Sequence, residues 1–280
     1  MSSFDQRAPE SGPRLPIRIA HISDLHFGRI ADPGIVDALC DDMHRSDLDL
    51  VVVSGDLTQR AFPSQYRDAA AFLTRLEIPW LAVPGNHDVY PWWRPVLRLR
   101  DPLRRYRKWI SQKLNPTVRW ADLAVLGINS AFGMTVQGGR IALSDRERMS
   151  SFFSSVADSS FRILVVHHHL TQLDAILDHD IAHGARETLL CAADQKVGMI
   201  LCGHLHISHV AHLENISQGR SLIICTAGTS TSDRGRGSDP SANFYNQITV
   251  DREQVVIKEK KFDATSSLFL ESSVSTYPRA

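Results

Sequence analysis

Aspartate, asparagine and histidine side chains stand in five short blocks, each of which directly follows an apolar stretch of the chain. The blocks read SDLH, GD, GNHD, HHH and GHLH, and they contain seven of the 13 histidines. Their polar members are Asp24, His26, Asp56, Asn86, His87, Asp88, His167, His168, His169, His204 and His206. Oxygen and nitrogen donors in this mixture suit divalent metals such as manganese, iron, cobalt and zinc. The blocks therefore predict a metal site.

The apolar stretches before the blocks have the character of buried strands, and segments with helical spacing alternate with them. The run Val51 to Val53 is typical of a strand buried on both faces, as in a parallel sheet covered by helices. Helices are predicted over residues 33–45, 63–76 and 144–156, the last with Ser144 as its N-cap. Because the carboxyl ends of parallel strands lie along one edge of a sheet, the blocks are expected to meet there.

Composition indicates a folded domain in a reducing compartment. The 280 residues are 43% hydrophobic, and 31 basic side chains balance 31 acidic ones, so net charge favours neither nucleic acid nor membrane as a partner. The sequence shows no apolar run of about 20 residues and no signal peptide, which predicts a cytoplasmic protein. Four cysteines without C-x-x-C spacing predict reduced thiols. We expect a flexible segment over 1–15, one domain over 16–262 and a loosely ordered tail rich in serine and threonine over 263–280.

The order of the five blocks resembles that of the calcineurin-like metallophosphoesterases over about residues 17–207. A further stretch, GGRIALSDRERMSSFF, is similar to the bacterial class III cyclic nucleotide phosphodiesterases of this superfamily. The resemblance implies an α/β fold of the metallo-dependent phosphatase type. Such a fold is a four-layer αββα sandwich in which two mixed sheets are flanked by helices, and strands near the C-terminus supply much of the second sheet.

The resemblance also implies a site for two divalent metal ions, whose identity among manganese, iron, cobalt and zinc stays open. By matching motifs, Asp24, His26 and His206 correspond to ligands of the first metal, and Asn86, His204 and one histidine of the triplet to ligands of the second. Asp56 would bridge both. In the family the triplet block reads as histidine, any residue, proline; Leu170 stands at the proline position, which assigns His168 and leaves His167 as the alternative.

Two ions about 3.5 to 4 Å apart can hold a bridging water, lower its pKa from about 15.7 toward neutrality and promote in-line attack on phosphorus. His87 resembles the catalytic histidine of the family. Asp88 either orients His87 or closes the turn that carries it, and both alternatives are open from the sequence. The residues implied in contact with the substrate phosphate are His26, Asp56, Asn86, His87 and His206.

Residues 91–120 form a basic insertion with nine Lys or Arg and a single acid, Asp101. Helical spacing from Asp101, as N-cap, to Leu114 predicts a basic amphipathic helix. It either packs on the domain with its charges in water, or caps the site and holds an anionic substrate, or lies peripherally on the inner face of a membrane with Trp92, Trp93 and Trp109 as anchors. No base-reading module accompanies the basic run, so nucleic acid is not favoured.

Three functions follow from these expectations. The first is a cytoplasmic metal-dependent phosphodiesterase acting on a small phosphate ester, with cyclic nucleotides implied by the resemblance. The second is a membrane-associated hydrolase of a lipid-linked or acylated nucleotide-sugar phosphate. The third, a phosphate-binding scaffold without activity, is disfavoured by the complete set of ligand positions.

Overall fold

Two six-stranded sheets form the centre of the molecule in a computed structural model that describes residues 12–135, 138–173, 179–217, 219–236 and 240–279. The first sheet has the order β12-β11-β10-β1-β2-β3, and the second has the order β4-β5-β6-β7-β9-β8. The strands are β1 (Ile17–Ile22), β2 (Leu50–Val53), β3 (Trp80–Ala82), β4 (Thr117–Arg119), β5 (Leu123–Gly127), β6 (Phe161–Val165), β7 (Met199–Cys202), β8 (His209–Ser217), β9 (Arg220–Thr226), β10 (Phe244–Val250), β11 (Gln254–Asp263) and β12 (Leu268–Pro278).

Helices cover the outer faces of the two sheets. They are α1 (Ile35–Arg45), α2 (Pro63–Arg75), α3 (Pro95–Arg100), α4 (Arg104–Trp109), α5 (Leu143–Ser154) and α6 (Ala185–Asp194). Side chains of α1 and α2 share one apolar cluster with the first sheet, and side chains of α5 and α6 share another with the second. The predicted four-layer αββα arrangement of two mixed sheets is therefore confirmed. The expectation that the C-terminal strands supply much of the second sheet is wrong, because β10, β11 and β12 extend the first sheet beside β1.

Alternation along β2 shows how consecutive valines are accommodated. Leu50 and Val52 point into the cluster between the two sheets, whereas Val51 and Val53 point toward the helices, and all four are fully buried. Successive side chains of a strand face opposite sides, so a strand covered on both faces needs apolar residues throughout. The run that ends just before Asp56 is therefore a central strand.

Within each sheet, the strands that precede the polar blocks run parallel to one another. In the first sheet β1 pairs with β2 and β2 with β3, all in parallel register. In the second, β6 and β7 are parallel neighbours. Their carboxyl ends deliver the blocks to one edge of the sandwich, as the sequence predicted.

The basic segment differs from the expected single helix. Asp101 ends helix α3, with its N–H bonded to the carbonyl of Leu97 at 3.0 Å, and a second helix, α4, follows from Arg104. A residue before proline is disfavoured in the helical conformation, so Asp101 and Pro102 separate two helices instead of opening one. Tyr106 anchors α4 in the core through a bond to the Ala82 carbonyl at 2.9 Å. Contact of this segment with a membrane stays a prediction.

The C-terminal tail is not loosely ordered, and that expectation is wrong. Residues Leu268–Pro278 form β12, which pairs with β11 along its length as an antiparallel edge strand. The side chain of Phe269 is 2% exposed and packs against Tyr245 and Phe262. Backbone pairing and two aromatic side chains, Phe269 and the half-buried Tyr277 near the other end, hold a strand whose serines and threonines carry no apolar alternation.

Smaller expectations also change. Helix α5 has Ala142, not Ser144, at its N-cap, because the Asp145 carboxylate accepts the Ala142 N–H at 2.9 Å. Strands β4 and β8 were not expected. The four cysteines are free thiols, as predicted. Of the expected flexible N-terminal segment, residues 1–11 lie outside the described residues. Within the described ranges, none of the helices has both the length and the apolar character needed to cross a bilayer.

Candidate metal centre

The polar blocks come together as two adjoining clusters of potential metal ligands. One contains Asp24, His26, Asp56 and His206, and the other contains His167, His168 and His204; within each, one donor atom per residue lies within 4.8 Å of the others. The short helical turn Asn86–Asp88, directly after β3, adds an amide oxygen to the second cluster. Every block that the sequence singled out therefore contributes to one region.

In the first cluster, nitrogen and oxygen lone pairs point toward a common space. His206 Nε2 lies 3.2 Å from Asp24 Oδ1 and 3.2 Å from His26 Nε2, and His26 Nε2 lies 3.6 Å from Asp56 Oδ2. The four side chains are at most 5% exposed. Two imidazole nitrogens and two carboxylate oxygens at this spacing are a donor set for a divalent cation.

The second cluster lies on the other side of Asp56. Asn86 Oδ1 is 3.2 Å from His167 Nε2 and 3.1 Å from His204 Nδ1. His167 Nε2 is also 3.4 Å from Asp56 Oδ2, the same oxygen that faces His26 in the first cluster. One carboxylate oxygen is thus shared between two groups of ligands, which is the position expected of a bridging residue.

The two aspartates each use one oxygen for the fold and leave the other for a cation. Asp24 Oδ2 accepts the His204 N–H at 2.9 Å, and Asp56 Oδ1 accepts the His87 N–H at 2.8 Å. The remaining atoms, Asp24 Oδ1 and Asp56 Oδ2, are buried and accept no hydrogen bond. A buried carboxylate oxygen without a donor is costly unless a cation binds it. The residues present therefore fit a pair of divalent metals.

Within the histidine triplet, the structure favours His167 over His168 as a ligand. Nδ1 of His167 faces the Ser54 carbonyl at 2.7 Å, which directs Nε2 toward Asp56 and Asn86. Nδ1 of His168 instead lies 2.8 Å from the Ser130 hydroxyl, although its ring remains in the second cluster, 4.7 Å from the ring of His204. These distances support His167, the alternative left open by the sequence, and the choice between the two histidines stays a prediction.

The third member of the triplet, His169, faces away from these ligands. Its Nε2 lies 3.1 Å from the Gly203 carbonyl and its ring packs on His179. Burial lowers the pKa of His169 to about 3. It is a neutral buried side chain that supports the loop before His204.

Backbone strain is a recurrent feature of the ligand blocks, which hold five of the eleven non-glycine residues with positive φ among those described. Five of their residues adopt left-handed conformations with positive φ, although none is glycine: Asp24 (53°), His26 (46°), Asp56 (53°), His204 (71°) and His206 (60°). Such conformations cost free energy and persist where surrounding structure fixes them, commonly at functional sites. The strain turns successive side chains of each strand exit toward the metal centre.

Two glycines leave the space that this arrangement needs. Gly55 has φ of +105°, and a Cβ there would lie 2.5 Å from Nδ1 of His167. A Cβ on Gly85 would lie 2.1 Å from Oδ1 of Asp56. The glycines in the GD and GNHD blocks thus allow the bridging carboxylate and its neighbours to approach closely.

The electrostatics favour neutral imidazoles at His26 and His204, a protonated imidazole at His167 and ionised carboxylates at Asp24 and Asp56. Burial lowers the pKa of His26 to about 4 and that of His204 to about 3. Although burial opposes ionisation of Asp24 and Asp56, the neighbouring His206 and His167 hold their pKa values well below the usual range. Burial also acts against protonation of His167, but the Asp56 carboxylate outweighs it and raises the pKa of His167 to about 9. A metal held at this second site would therefore have to replace a proton on His167.

His87 lies beside the ligands, with none of its ring nitrogens directed at a carboxylate. Its ring packs edge-on against His26 with centroids 4.8 Å apart, and its Nδ1 is 2.7 Å from the carbonyl of Gln59. The carbonyl can only accept, so Nδ1 carries the proton and Nε2 is an acceptor in the neutral ring. Burial lowers the pKa of His87.

Asp88 closes the turn and does not orient the His87 ring, so that alternative is wrong. Its carboxylate accepts the N–H groups of Gly85 (3.0 Å), Leu57 (3.2 Å) and Thr58 (2.9 Å), and also the Thr58 hydroxyl (3.0 Å). Burial and the nearby charge of Asp56 raise the pKa of Asp88 to about 7, although the hydrogen bonds from these donors act to lower it. Asp88 therefore joins the loops that carry Asp56 and His87.

Sequence reasoning missed Arg234, which lies in the segment TSTSDRGRG after β9. Its Nη1 is 2.9 Å from Nε2 of His87 and 3.3 Å from Oε1 of Gln59. Strand β9 is a parallel neighbour of β7, so its carboxyl end reaches the same edge. The position after a parallel strand could have indicated that Arg234 lies near the site, but the residues after β9 do not match any of the five blocks.

Known proteins resemble this chain in sequence over most of its length. A probable cyclic nucleotide phosphodiesterase of Xenorhabdus bovienii is 24% identical over 217 residues, which cover 72% of this chain and 83% of that protein. The 3′,5′-cyclic adenosine monophosphate phosphodiesterase CpdA of Escherichia coli K12 is 25% identical over 164 residues, which cover 58% of this chain and 56% of CpdA. Neither is named for a lipid substrate, so the membrane-associated alternative gains no support.

Solved structures share the fold at low sequence identity. The purple acid phosphatase PPD1 of yellow lupin superimposes with a TM-score of 0.73 at 13% identity, over 97% of this chain and 55% of that one. A dimetal phosphatase of Danio rerio gives a TM-score of 0.63 at 14% identity, over 95% of this chain and 100% of that one. Residues 17–208 match the family model described as calcineurin-like phosphoesterase. With its two-sheet fold and its paired ligand clusters, the chain belongs to the calcineurin-like phosphoesterase family and is a phosphoric ester hydrolase.

Proposed function

We propose that this protein is a binuclear-metal phosphodiesterase that hydrolyses 3′,5′-cyclic nucleotides. The observation that carries the proposal is the shared oxygen of Asp56, which faces His26 Nε2 at 3.6 Å and His167 Nε2 at 3.4 Å. The names of the relatives in Xenorhabdus bovienii and Escherichia coli support the cyclic nucleotide as substrate.

Each metal would be held by side chains already in place. The first site would use Asp24, His26 and His206, the second would use Asn86, His167 and His204, and Asp56 would serve both. When bound, such a pair of cations stabilises charge on a phosphate ester and lowers the pKa of water, so that hydrolysis proceeds near neutral pH. Metal identity among manganese, iron, cobalt and zinc is left to experiment.

His87 would handle the proton of the reaction at Nε2. In the resting arrangement its Nδ1 donates to the Gln59 carbonyl and the lone pair of Nε2 accepts from Nη1 of Arg234 at 2.9 Å, so proton transfer at Nε2 requires that contact to open. That atom can accept the proton released by attacking water and return it to the departing ester oxygen, which leaves the protonation state of His87 unchanged overall. Asp88 contributes by fixing the loop of His87 and not by touching its ring.

Two exposed tryptophans on the segment that follows the GNHD block support a substrate with a nucleobase. Trp92 and Trp93 are 67% and 42% exposed, with ring centroids 5.7 Å apart. Arg60, which lies over Trp93 at 5.7 Å, directly follows Gln59, whose carbonyl contacts His87. Exposed tryptophan faces stack on bases and also on cations such as arginine. A cyclic nucleotide offers both the base and the diester that such a site would use.

The test is hydrolysis of cyclic AMP and cyclic GMP by protein loaded separately with each metal, with p-nitrophenyl phosphate as a monoester comparison. The proposal expects nucleoside monophosphate as product and a kcat/KM for a cyclic nucleotide at least about ten-fold above that for the monoester, a difference of about 1.4 kcal/mol. The variant D56N should lose this activity, whereas D68N, which alters an exposed aspartate of α2, should keep it. Turnover of the monoester with cyclic nucleotides left intact would refute the proposal.

A further inference from the structure

The loop that carries Arg234 is fastened to the strand exit that carries Asp24. The hydroxyl of Thr229 donates to the Asp24 carbonyl at 2.7 Å, and that of Thr231 donates to the Leu25 carbonyl at 2.6 Å. Asn243 holds the carbonyl of Ser232 at 2.8 Å. These three side chains are buried. The backbone before Arg234 is therefore fixed relative to the metal ligands, and the arginine has a defined position beside them.

Arg234 carries a half-buried positive charge whose contacts are neutral. Its Nη1 faces His87 Nε2 and Gln59 Oε1, and burial lowers its pKa although Asp56 and Asp24 act in the opposite direction. The adjacent Asp233 pairs with Arg29 at 2.6 Å instead. Across the described residues, no carboxylate lies within ion-pair distance of the Arg234 guanidinium.

A desolvated guanidinium that has no carboxylate partner can bind an anion that enters from solvent. Its contacts in the described structure involve Nη1, which leaves Nε and Nη2 as a planar pair of donors for two oxygens of one oxyanion. Arginine recognises phosphate in this bidentate manner, and the interaction is strong where water is partly excluded.

We propose that Arg234 binds a non-bridging oxygen of the substrate phosphate and sets the affinity of the site for it. The location carries this inference, because Nη1 of Arg234 contacts the His87 ring, and that ring packs against the ring of His26 with centroids 4.8 Å apart. An anion held by Arg234 would thus lie close to the first ligand cluster. The proposal rests on the proposed phosphodiesterase function for its substrate, but binding of phosphate itself does not require turnover.

The test compares R234M, R234K and the control R236M, which removes an exposed arginine two residues further along the same segment. Inorganic phosphate binding to metal-loaded protein is measured by calorimetry, and kcat and KM are measured with bis(p-nitrophenyl) phosphate. We expect R234M to weaken phosphate binding and raise KM by about 10- to 100-fold, as for loss of a charged hydrogen bond to substrate; kcat is recorded as well, because Arg234 also contacts Nε2 of His87. The phosphate affinity and KM of R234K should lie between those of R234M and the parent protein, and R236M should match the parent protein in both.

Two controls separate this role from others. Metal content and urea unfolding are recorded for every variant, and added guanidinium should restore part of the lost phosphate affinity in R234M. Unchanged phosphate binding in R234M, or loss of metal together with loss of binding, would overturn the proposal. If R234M loses phosphate affinity while the parent hydrolyses no cyclic nucleotide, Arg234 keeps its role and the proposed function fails.

Discussion

Replacing Asp88 by asparagine should destabilise the fold more than it alters chemistry. The carboxylate receives four hydrogen bonds, with the Thr58 N–H and hydroxyl on Oδ1 and the N–H groups of Gly85 and Leu57 on Oδ2. The carbonyl oxygen of an asparagine can still accept two of these four hydrogen bonds, but its NH₂ group then faces the other two donors, which are buried. At about 1 to 3 kcal/mol for each buried group left without a partner, D88N should lower the free energy of unfolding by about 2 to 6 kcal/mol.

Urea unfolding of metal-free D88N at pH 8 measures this loss, with D68N as a matched control at an exposed position of α2. D68N should change the unfolding free energy by less than about 0.5 kcal/mol. A domain of ordinary stability, about 5 to 15 kcal/mol, survives most of the expected range, so D88N can be purified and assayed. Normal stability of D88N together with a severe loss of kcat would refute the structural role and return Asp88 to the orientation of His87.

The other predictions concern the histidines. H167A should lose one metal per chain, whereas H168A should retain both, as measured by elemental analysis; the reverse pattern would restore His168 as the ligand. H87A should keep its metals and lower kcat by about 10² to 10⁴-fold, and metal loss in this variant would contradict a non-ligand role. His21 is buried against the Ser54 hydroxyl at 2.9 Å, and burial lowers its pKa to about 3. Its contribution to the free energy of unfolding is therefore present above pH 6.5 and is lost as pH falls toward 3, with about 2 kcal/mol lost between pH 6.5 and 5. The variant H21N should show a smaller decrease of the free energy of unfolding, measured with urea, over this pH range.

The parts of the fold that were predictable from sequence are those where one local pattern has one physical solution. Val51 to Val53 admits a strand buried on both faces, and the polar residue that follows must then lie at the strand exit. Five such strand exits identified the two ligand clusters because parallel strands bring their carboxyl ends together. The same rule places Asp24 and Asp56 at this edge, whereas their roles as metal ligands came from the resemblance to the family and stay a prediction.

The features that were missed depend on contacts between distant segments. The choice between His167 and His168 depends on the Ser54 carbonyl and the Ser130 hydroxyl, which lie on other elements. Arg234 becomes part of the site through loop bonds such as that from Thr229 to Asp24, and its sequence neighbourhood carries no motif.

Strand β12 was missed for a different reason. Its pairing with β11 is made by the backbone, which any sequence can provide, and its burial depends largely on Phe269. An edge strand that is open to solvent needs no apolar alternation, so its polar composition resembles that of an unstructured tail.

The most direct test of the central claim is metal stoichiometry measured together with diester hydrolysis on the same protein samples. Metal-free protein is resupplied with manganese, iron, cobalt or zinc, and turnover of bis(p-nitrophenyl) phosphate is followed as metal content rises in the parent and in D56N. The shared position of Asp56 Oδ2 predicts that activity reaches its maximum at two metals per chain and that D56N loses both occupancy and rate. Full activity with one metal, or a D56N variant that binds two metals and turns over normally, would contradict the bridged two-metal site.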